Sequence, residues 1–187
     1  MYETSDLRKG LKILHEGKPY VVTDCNFVKP GKGRPFTRTK IKNLATGAVL
    51  EVTFFSGDRI DRPDLEEQTM QYSYMDGESF VFMNTETYEQ VFISAEALGE
   101  QKGYLVDNLV CTVLFFDGKP IDISLPNFVV LQVTQADPGF KGDTSGGATK
   151  KATLQSGLQI DVPLFVGEGE WIRLDTRTGA YVERVKK

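Results

Sequence analysis

Two cysteines, one histidine and one tryptophan in 187 residues leave little material for several large classes of chemistry. Cys25 and Cys111 stand 86 positions apart and in no CxxC pattern, which argues against a zinc site and fits reduced thiols. Both sit among apolar residues and read as small core hydrophobes. The single histidine, His15, lies beside Glu16-Gly17 at a turn, where a solvated side chain is expected. A Ser-His-Asp or Cys-His mechanism would have to use it, and nothing nearby supports one. Walker A, Rossmann and HExxH motifs are absent. No apolar run approaches the ~20 residues of a membrane helix; the longest are of the kind Thr112-Val-Leu-Phe-Phe116. The first ten residues have no apolar h-region, so no secretory signal is expected, and a cytoplasmic location is.

What is present is a foldable surplus of aromatics, 12 Phe and 7 Tyr, which argues against disorder. The formal net charge of −4 argues, on its face, against a nucleic-acid partner. The charge is unevenly spread. Residues 1–64 carry 12 basic and 8 acidic side chains, residues 65–128 carry 2 and 11, and residues 129–187 carry 8 and 7. Such partition suggests modules, and the breaks at Arg62-Pro-Asp64 and Leu125-Pro-Asn127 suit it. Between Asp24 and Glu51 there is no acid, yet Lys29, Lys32, Arg34, Arg38, Lys40 and Lys42 fall there. That stretch reads either as a phosphate-contact surface or as a solvated strand face. The acidic middle block would repel RNA.

Turn dipeptides separate alternating apolar runs at Glu16-Gly17, Thr46-Gly47, Asp76-Gly77, Asp117-Gly118 and Thr178-Gly179, which predicts five hairpins. Only one helix is expected, Ala95–Leu98, capped by Ser94 and kept short by Gly99 and Gly103. Five hairpins over three charge-distinct blocks predict an all-β chain of three small barrels, at 1–64, 65–128 and 129–187.

The segment Lys29-Pro-Gly-Lys-Gly-Arg-Pro35 should form a protruding loop with Lys32 near its apex, since Pro30 fixes one φ and Gly31 and Gly33 permit positive φ. By its local residues it reads first as an ordinary hairpin loop with a solvated lysine. Pro30-Gly31-Lys32-Gly33, after Phe27-Val28-Lys29 and before Phe36, nevertheless resembles the modified-residue loop of the bacterial elongation factor P family. Asp137-Pro-Gly-Phe-Lys-Gly-Asp-Thr144, Ala152-Thr-Leu154, Val162-Pro-Leu-Phe165 and the run Asp175 to Arg184 resemble its C-terminal signature, and Met70-Gln-Tyr72 with Tyr74-Met-Asp-Gly77 its middle domain. The resemblance covers essentially the whole chain in order.

That resemblance implies an L-shaped mimic of tRNA, with an SH3-like (KOW-like) barrel at 1–64 followed by OB-fold barrels at 65–128 and 129–187. It implies a non-enzymatic translation factor that binds both ribosomal subunits between the P and E sites, contacts the P-site peptidyl-tRNA and relieves polyproline stalls. Lys32, framed by Pro30, Gly31 and Gly33, would be the functional and modified residue; Lys29, Arg34, Arg38, Lys40 and Lys42 would hold surrounding phosphates. The loop Gly142, Asp143, Thr144, Ser145, Gly146 and Gly147, with Tyr181 and Arg184, would serve small-subunit contact. No cofactor or metal is expected, only a covalent extension of Lys32 by a lysine-modifying enzyme, and its chemistry stays open between β-lysyl, aminopentanol-type and none. A monomer without membrane association is expected. Two departures stand out: Arg34-Pro35, where members often have small or amide residues, and Lys151, where many have proline.

Competing classes are a paralogue with a narrower range of stalling motifs, a generic RNA-binding OB protein and an enzyme. An RNA-binding barrel predicts aromatics interleaved with basic residues. Here Tyr72, Tyr74, Phe80 and Phe82 fall in the acidic block and read as core. An enzyme would need a ligand cluster or a nucleophile–base pair, and the sequence offers neither.

Overall fold

A computed structural model describes residues 1–139 and 147–187. The first strands are β1 (Tyr2–Glu3), β2 (Lys12–His15), β3 (Lys18–Val28), β4 (Phe36–Asn43), β5 (Val49–Phe55) and β6 (Arg59–Ile60). They are followed by β7 (Leu65–Asp76), β8 (Ser79–Asn84), β9 (Gln90–Ser94), β10 (Val110–Phe116) and β11 (Lys119–Ser124). The last are β12 (Phe128–Ala136), β13 (Thr149–Leu154), β14 (Gln159–Pro163), β15 (Trp171–Asp175) and β16 (Ala180–Val185). The larger sheets run β2-β3-β4-β5, β11-β10-β7-β8-β9 and β14-β13-β12-β15-β16, while β1 pairs with β6. The chain divides into two compact units, Met1–Gln68 with Leu114–Asp122, and Thr69–Val113 with Ile123–Lys187.

Turn chemistry explains the hairpins. Glu16 and Gly17 have φ of 50° and 72°, and Asp117 and Gly118 have 50° and 75°, the paired left-handed conformation that matches strand twist. The β4–β5 turn is organised by buried Asn43, whose Oδ1 accepts the Ala45 and Thr46 amides at 2.8 and 3.0 Å. The β7–β8 turn falls at Gly77–Glu78, one residue later than Asp76-Gly77 suggested.

The core of the first unit gathers Leu11, Ile13, Tyr20, Val22, Ile41 and Ile60. In β3 the inward positions are Tyr20 and Val22, then Cys25, because an extra residue between Val22 and Asp24 shifts the register against β4. In the second unit Val129, Leu131, Val133, Leu154, Ile172 and Leu174 form a contiguous core. Tyr104 and Leu109 pack against it.

Helix α1 spans Ala95–Leu98 as expected, with Ser94 Oγ accepting the Ala97 amide at 3.2 Å and Gly99 at φ 56° ending it. A 3₁₀ turn over Gly99–Tyr104 follows directly, and another covers Thr4–Asp6; neither has a hydrophobic period long enough to be seen in sequence. No helix among the described residues is long and apolar enough to cross a membrane.

Three side chains sit differently from expectation. His15 is half-buried, its ring edge-on to Tyr20 and Phe54 at 5.9 and 6.2 Å, so it packs rather than floats in solvent. Tyr72, Phe80 and Phe82 are core, but Tyr74 is 46% exposed, because the register shift between Tyr72 and Tyr74 turns it away from the Tyr72 side. Cys111 is buried, which pushes its thiol up to about 11, whereas Cys25 is only half-buried and its Sγ donates to the Leu7 carbonyl at 3.6 Å.

Candidate nucleic-acid interface

Strand β4 has strict period-two chemistry. Thr37, Thr39, Ile41 and Asn43 are buried, while Arg38, Lys40 and Lys42 line the exposed face. The pleat therefore collects three of the predicted cations into one row. The sequence did not reveal what stands beside them. The acid-free stretch is bounded by Asp24 and Glu51, and the fold brings those two residues directly opposite Lys40, one on each neighbouring strand. Arg38 Nε also lies 3.7 Å from Glu51 Oε1. Opposite charges on facing strands attract, so the centre of the row is partly neutralised. Lys42 faces Val21 and Val49 and makes no ion pair among the described residues.

Beyond Val28 and Phe36, the last β3–β4 pair, the chain makes the loop 29–35. Lys29, Gly31, Lys32, Gly33 and Arg34 are exposed. Among the described residues, no hydrogen bond or ion pair involves Lys29 to Gly33. Gly33 has φ 114°, a conformation closed to L side chains, and so its identity is required by the backbone. Gly31 has no positive φ and open space where a Cβ would stand. Arg34 behaves differently from its neighbours. Its Nε donates to the Ser56 carbonyl at 2.7 Å, its Nη2 donates to the same oxygen, and Nη2 lies 3.4 Å from Asp58 Oδ1. Its Cζ is 5.8 Å from the centre of the Phe55 ring. Arg34 is thus turned back onto the β5–β6 turn.

Tyr181 and Arg184 share a second setting. Residues three apart in a regular strand point to opposite faces. A register shift gives Leu174↔Tyr181 and Arg173↔Glu183, so Val182 is an extra residue and both side chains come to one side. They line a cleft of about 600 Å³ with Phe165, Glu170 and Trp171. Arg184 Nη1 donates to Glu170 Oε1 at 2.9 Å, and its Cζ stands 4.7 Å from the Phe165 ring centre. The Gly167 amide, donating to Glu170 Oε2 at 2.7 Å, and then Arg184 hold the Glu170 carboxyl below its ordinary range. Tyr181 also packs against the core. Sequence singled out the pair but not Glu170 or Trp171, for which only the cross-strand register carries the signal. Gly142, Asp143, Thr144, Ser145 and Gly146 lie outside the described residues; Gly147 is exposed, with φ 118°.

Lys151 has a local explanation. It faces Asp161 across β13–β14, and its Nζ lies 2.8 Å from Asp161 Oδ1. Among the described residues no group of three or more His, Cys, Asp or Glu is placed to hold a metal.

Family models match three consecutive segments: the Elongation factor P (EF-P) KOW-like domain over residues 3–60, the Elongation factor P (EF-P) OB domain over 65–123, and Elongation factor P, C-terminal, over 129–184. The chain is 52% identical to the elongation factor P of Desulfatibacillum aliphaticivorans and 52% identical to that of Bdellovibrio bacteriovorus, each over the full length of both proteins. Among solved structures, eukaryotic translation initiation factor 5A from Methanococcus jannaschii is similar in fold, with a TM-score of 0.58 and 18% identity over 66% of this chain and 91% of that one. Elongation factor models over three consecutive segments, with full-length elongation factor relatives, define a translation factor rather than an enzyme. More particularly, the chain belongs to the elongation factor P family.

Proposed function

We propose that this translation elongation factor binds the ribosome between the P and E sites, contacts the P-site tRNA, and promotes peptide-bond formation where consecutive prolines stall synthesis. The observation that carries the reading is Lys32, exposed on a glycine-flanked loop and free of ion pairs among the described residues. A rigid nascent proline misplaces the peptidyl ester. A cation delivered from a fixed base to the tRNA end restores alignment, and alignment lowers the entropic part of the barrier without any acid or base from the protein. Backbone contacts of this kind need no sequence recognition. Lys29 and Lys42, with Arg38 and Lys40 discounted by Glu51 and Asp24, supply the surrounding charge.

In this reading Lys32 is extended by a modifying enzyme, Tyr181 and Arg184 contact the small subunit together with the 142–147 loop, and the chain acts in the cytoplasm as a monomer. The three barrels of 1–64, 65–128 and 129–187 are its working parts, a parse supported by the three matched segments. Reconstituted translation of a Pro-Pro-Pro message tests it. Lys32→Ala should abolish relief of the stall while the circular dichroism and melting of the protein stay unchanged. Full relief by that variant would refute the reading.

A further inference from the structure

The Lys32 loop is tied down on one limb only. Among the described residues, no hydrogen bond reaches Lys29 to Gly33. The limb after them is anchored twice to a single residue: the Pro35 carbonyl accepts the Ser56 amide at 2.8 Å, and the Arg34 guanidinium donates two N–H groups to the Ser56 carbonyl. The receiving turn is itself closed by Asp58. Its Oδ2 accepts the Phe55 amide at 2.8 Å, its own amide donates to the Phe55 carbonyl at 2.9 Å, and its Oδ1 faces Arg34. A Cβ at Gly57 would come within 3.3 Å of Arg34 Nη2, so the turn leaves room for the guanidinium to lie close against it.

We propose that Arg34 is a positioning residue rather than a phosphate contact: its planar fork clasps the 55–58 turn and gives the Lys32 tip a fixed base from which to project. This rests on the function proposed for Lys32. The surface ion pair with Asp58 contributes little by itself. The clasp comes from two donors converging on one backbone carbonyl, a geometry that a lysine ammonium on a flexible stem does not reproduce.

The test uses full-length protein, with intact mass verifying that wild type and both Arg34 variants carry the same group on Lys32. Arg34→Ala and Arg34→Lys are compared with wild type and Lys32→Ala in stalled-peptide release on purified ribosomes, at varied factor and salt. Both Arg34 variants should lower the maximal rate about ten-fold, because small misplacements of a positioned group are costly. Both should leave the half-saturating concentration and its salt dependence unchanged, and both should reduce the backbone order parameters of residues 29–33 measured by ¹⁵N relaxation. An unchanged maximal rate with weaker binding and a salt slope smaller by about one would make Arg34 a phosphate contact and overturn the proposal. Wild-type behaviour of Arg34→Lys alongside a defective Arg34→Ala would also overturn it, since charge rather than geometry would then matter. If Lys32→Ala relieves stalls fully, the reading of the loop fails instead, and the order parameters alone decide whether the clasp exists.

Discussion

Lys32 and Arg184 are both basic and both exposed, and the sequence singles out the first for the P-site tRNA and the second for the small subunit, yet their surroundings differ in kind. Lys32 stands on a loop whose tip makes no hydrogen bond among the described residues. Arg184 is held by Glu170 at 2.9 Å and lies over Phe165 at 4.7 Å. An unpaired ammonium offers its whole charge to a partner but loses rotamer entropy on binding. A paired guanidinium is already placed, yet it must share or exchange its carboxylate to meet a phosphate. The difference teaches that one cation is free to reach and the other is already placed, which predicts an effect on rate from the first and on affinity from the second.

The sharpest test of that separation sets Lys32→Ala against Arg184→Ala on the same ribosomes. The first should cost a hundred-fold or more, by rough estimate, in the maximal rate of proline–proline bond formation, with little change in half-saturating concentration. Arg184→Ala should instead weaken binding by roughly ten-fold, equivalent to about 1.4 kcal/mol, and spare the maximal rate. Equal effects on rate and affinity from both variants would erase the distinction.

A finer contrast lies within β4. Lys42→Ala should reduce the salt slope of ribosome binding by about one, as expected for a lost phosphate contact. Lys40→Ala should change it far less, because Asp24 and Glu51 stand opposite Lys40 on the two neighbouring strands and their charge offsets its own. Equal slopes for the two would show that the flanking acids do not matter.

The smallest expected effect concerns pH. Glu170 has its carboxyl lowered in the folded state, so the stability it contributes is present above the ordinary glutamate range of ~4.3 and is lost as pH falls through the lower folded value. Carboxyl-carbon NMR titration should place Glu170 below that range in the wild type and closer to it in Arg184→Ala. The remaining offset would come from the Gly167 amide.

The parts of this molecule that are local in sequence could be read from it. The Asp117-Gly118 dipeptide forms the left-handed pair its residues favour, although Asp76-Gly77 places its turn one residue later, and β4 announces its two faces by alternation. The Ser94 cap needs only four residues to be recognised. What escaped depends on partners distant in sequence. That Asp24 and Glu51 flank Lys40 is a matter of register. That Tyr181 and Arg184 share a side follows from one extra residue in β16, and alternation alone would have put them on opposite faces. Tyr74 left the core for the same reason. Arg34 looked like one more phosphate ligand because its acceptors, Ser56 and Asp58, arrive from a turn 22 and 24 residues away. Lys32 itself was legible only through resemblance; its local residues describe a plain loop.

The extra residue in β3 sets how this barrel can change over time. Before it, Tyr20 and Val22 turn inward; after it, Cys25 does, while Asp24, Asn26 and Phe27 are exposed. Without Thr23 the strand would alternate plainly, with Val22 and Cys25 inward and Asp24 outward, so the extra residue is accommodated as a local bulge that leaves both flanking segments in register with β4. Substitutions on the outer face leave the register untouched, whereas a one-residue insertion or deletion within a regularly paired part of β3 reverses the faces of the residues beyond it.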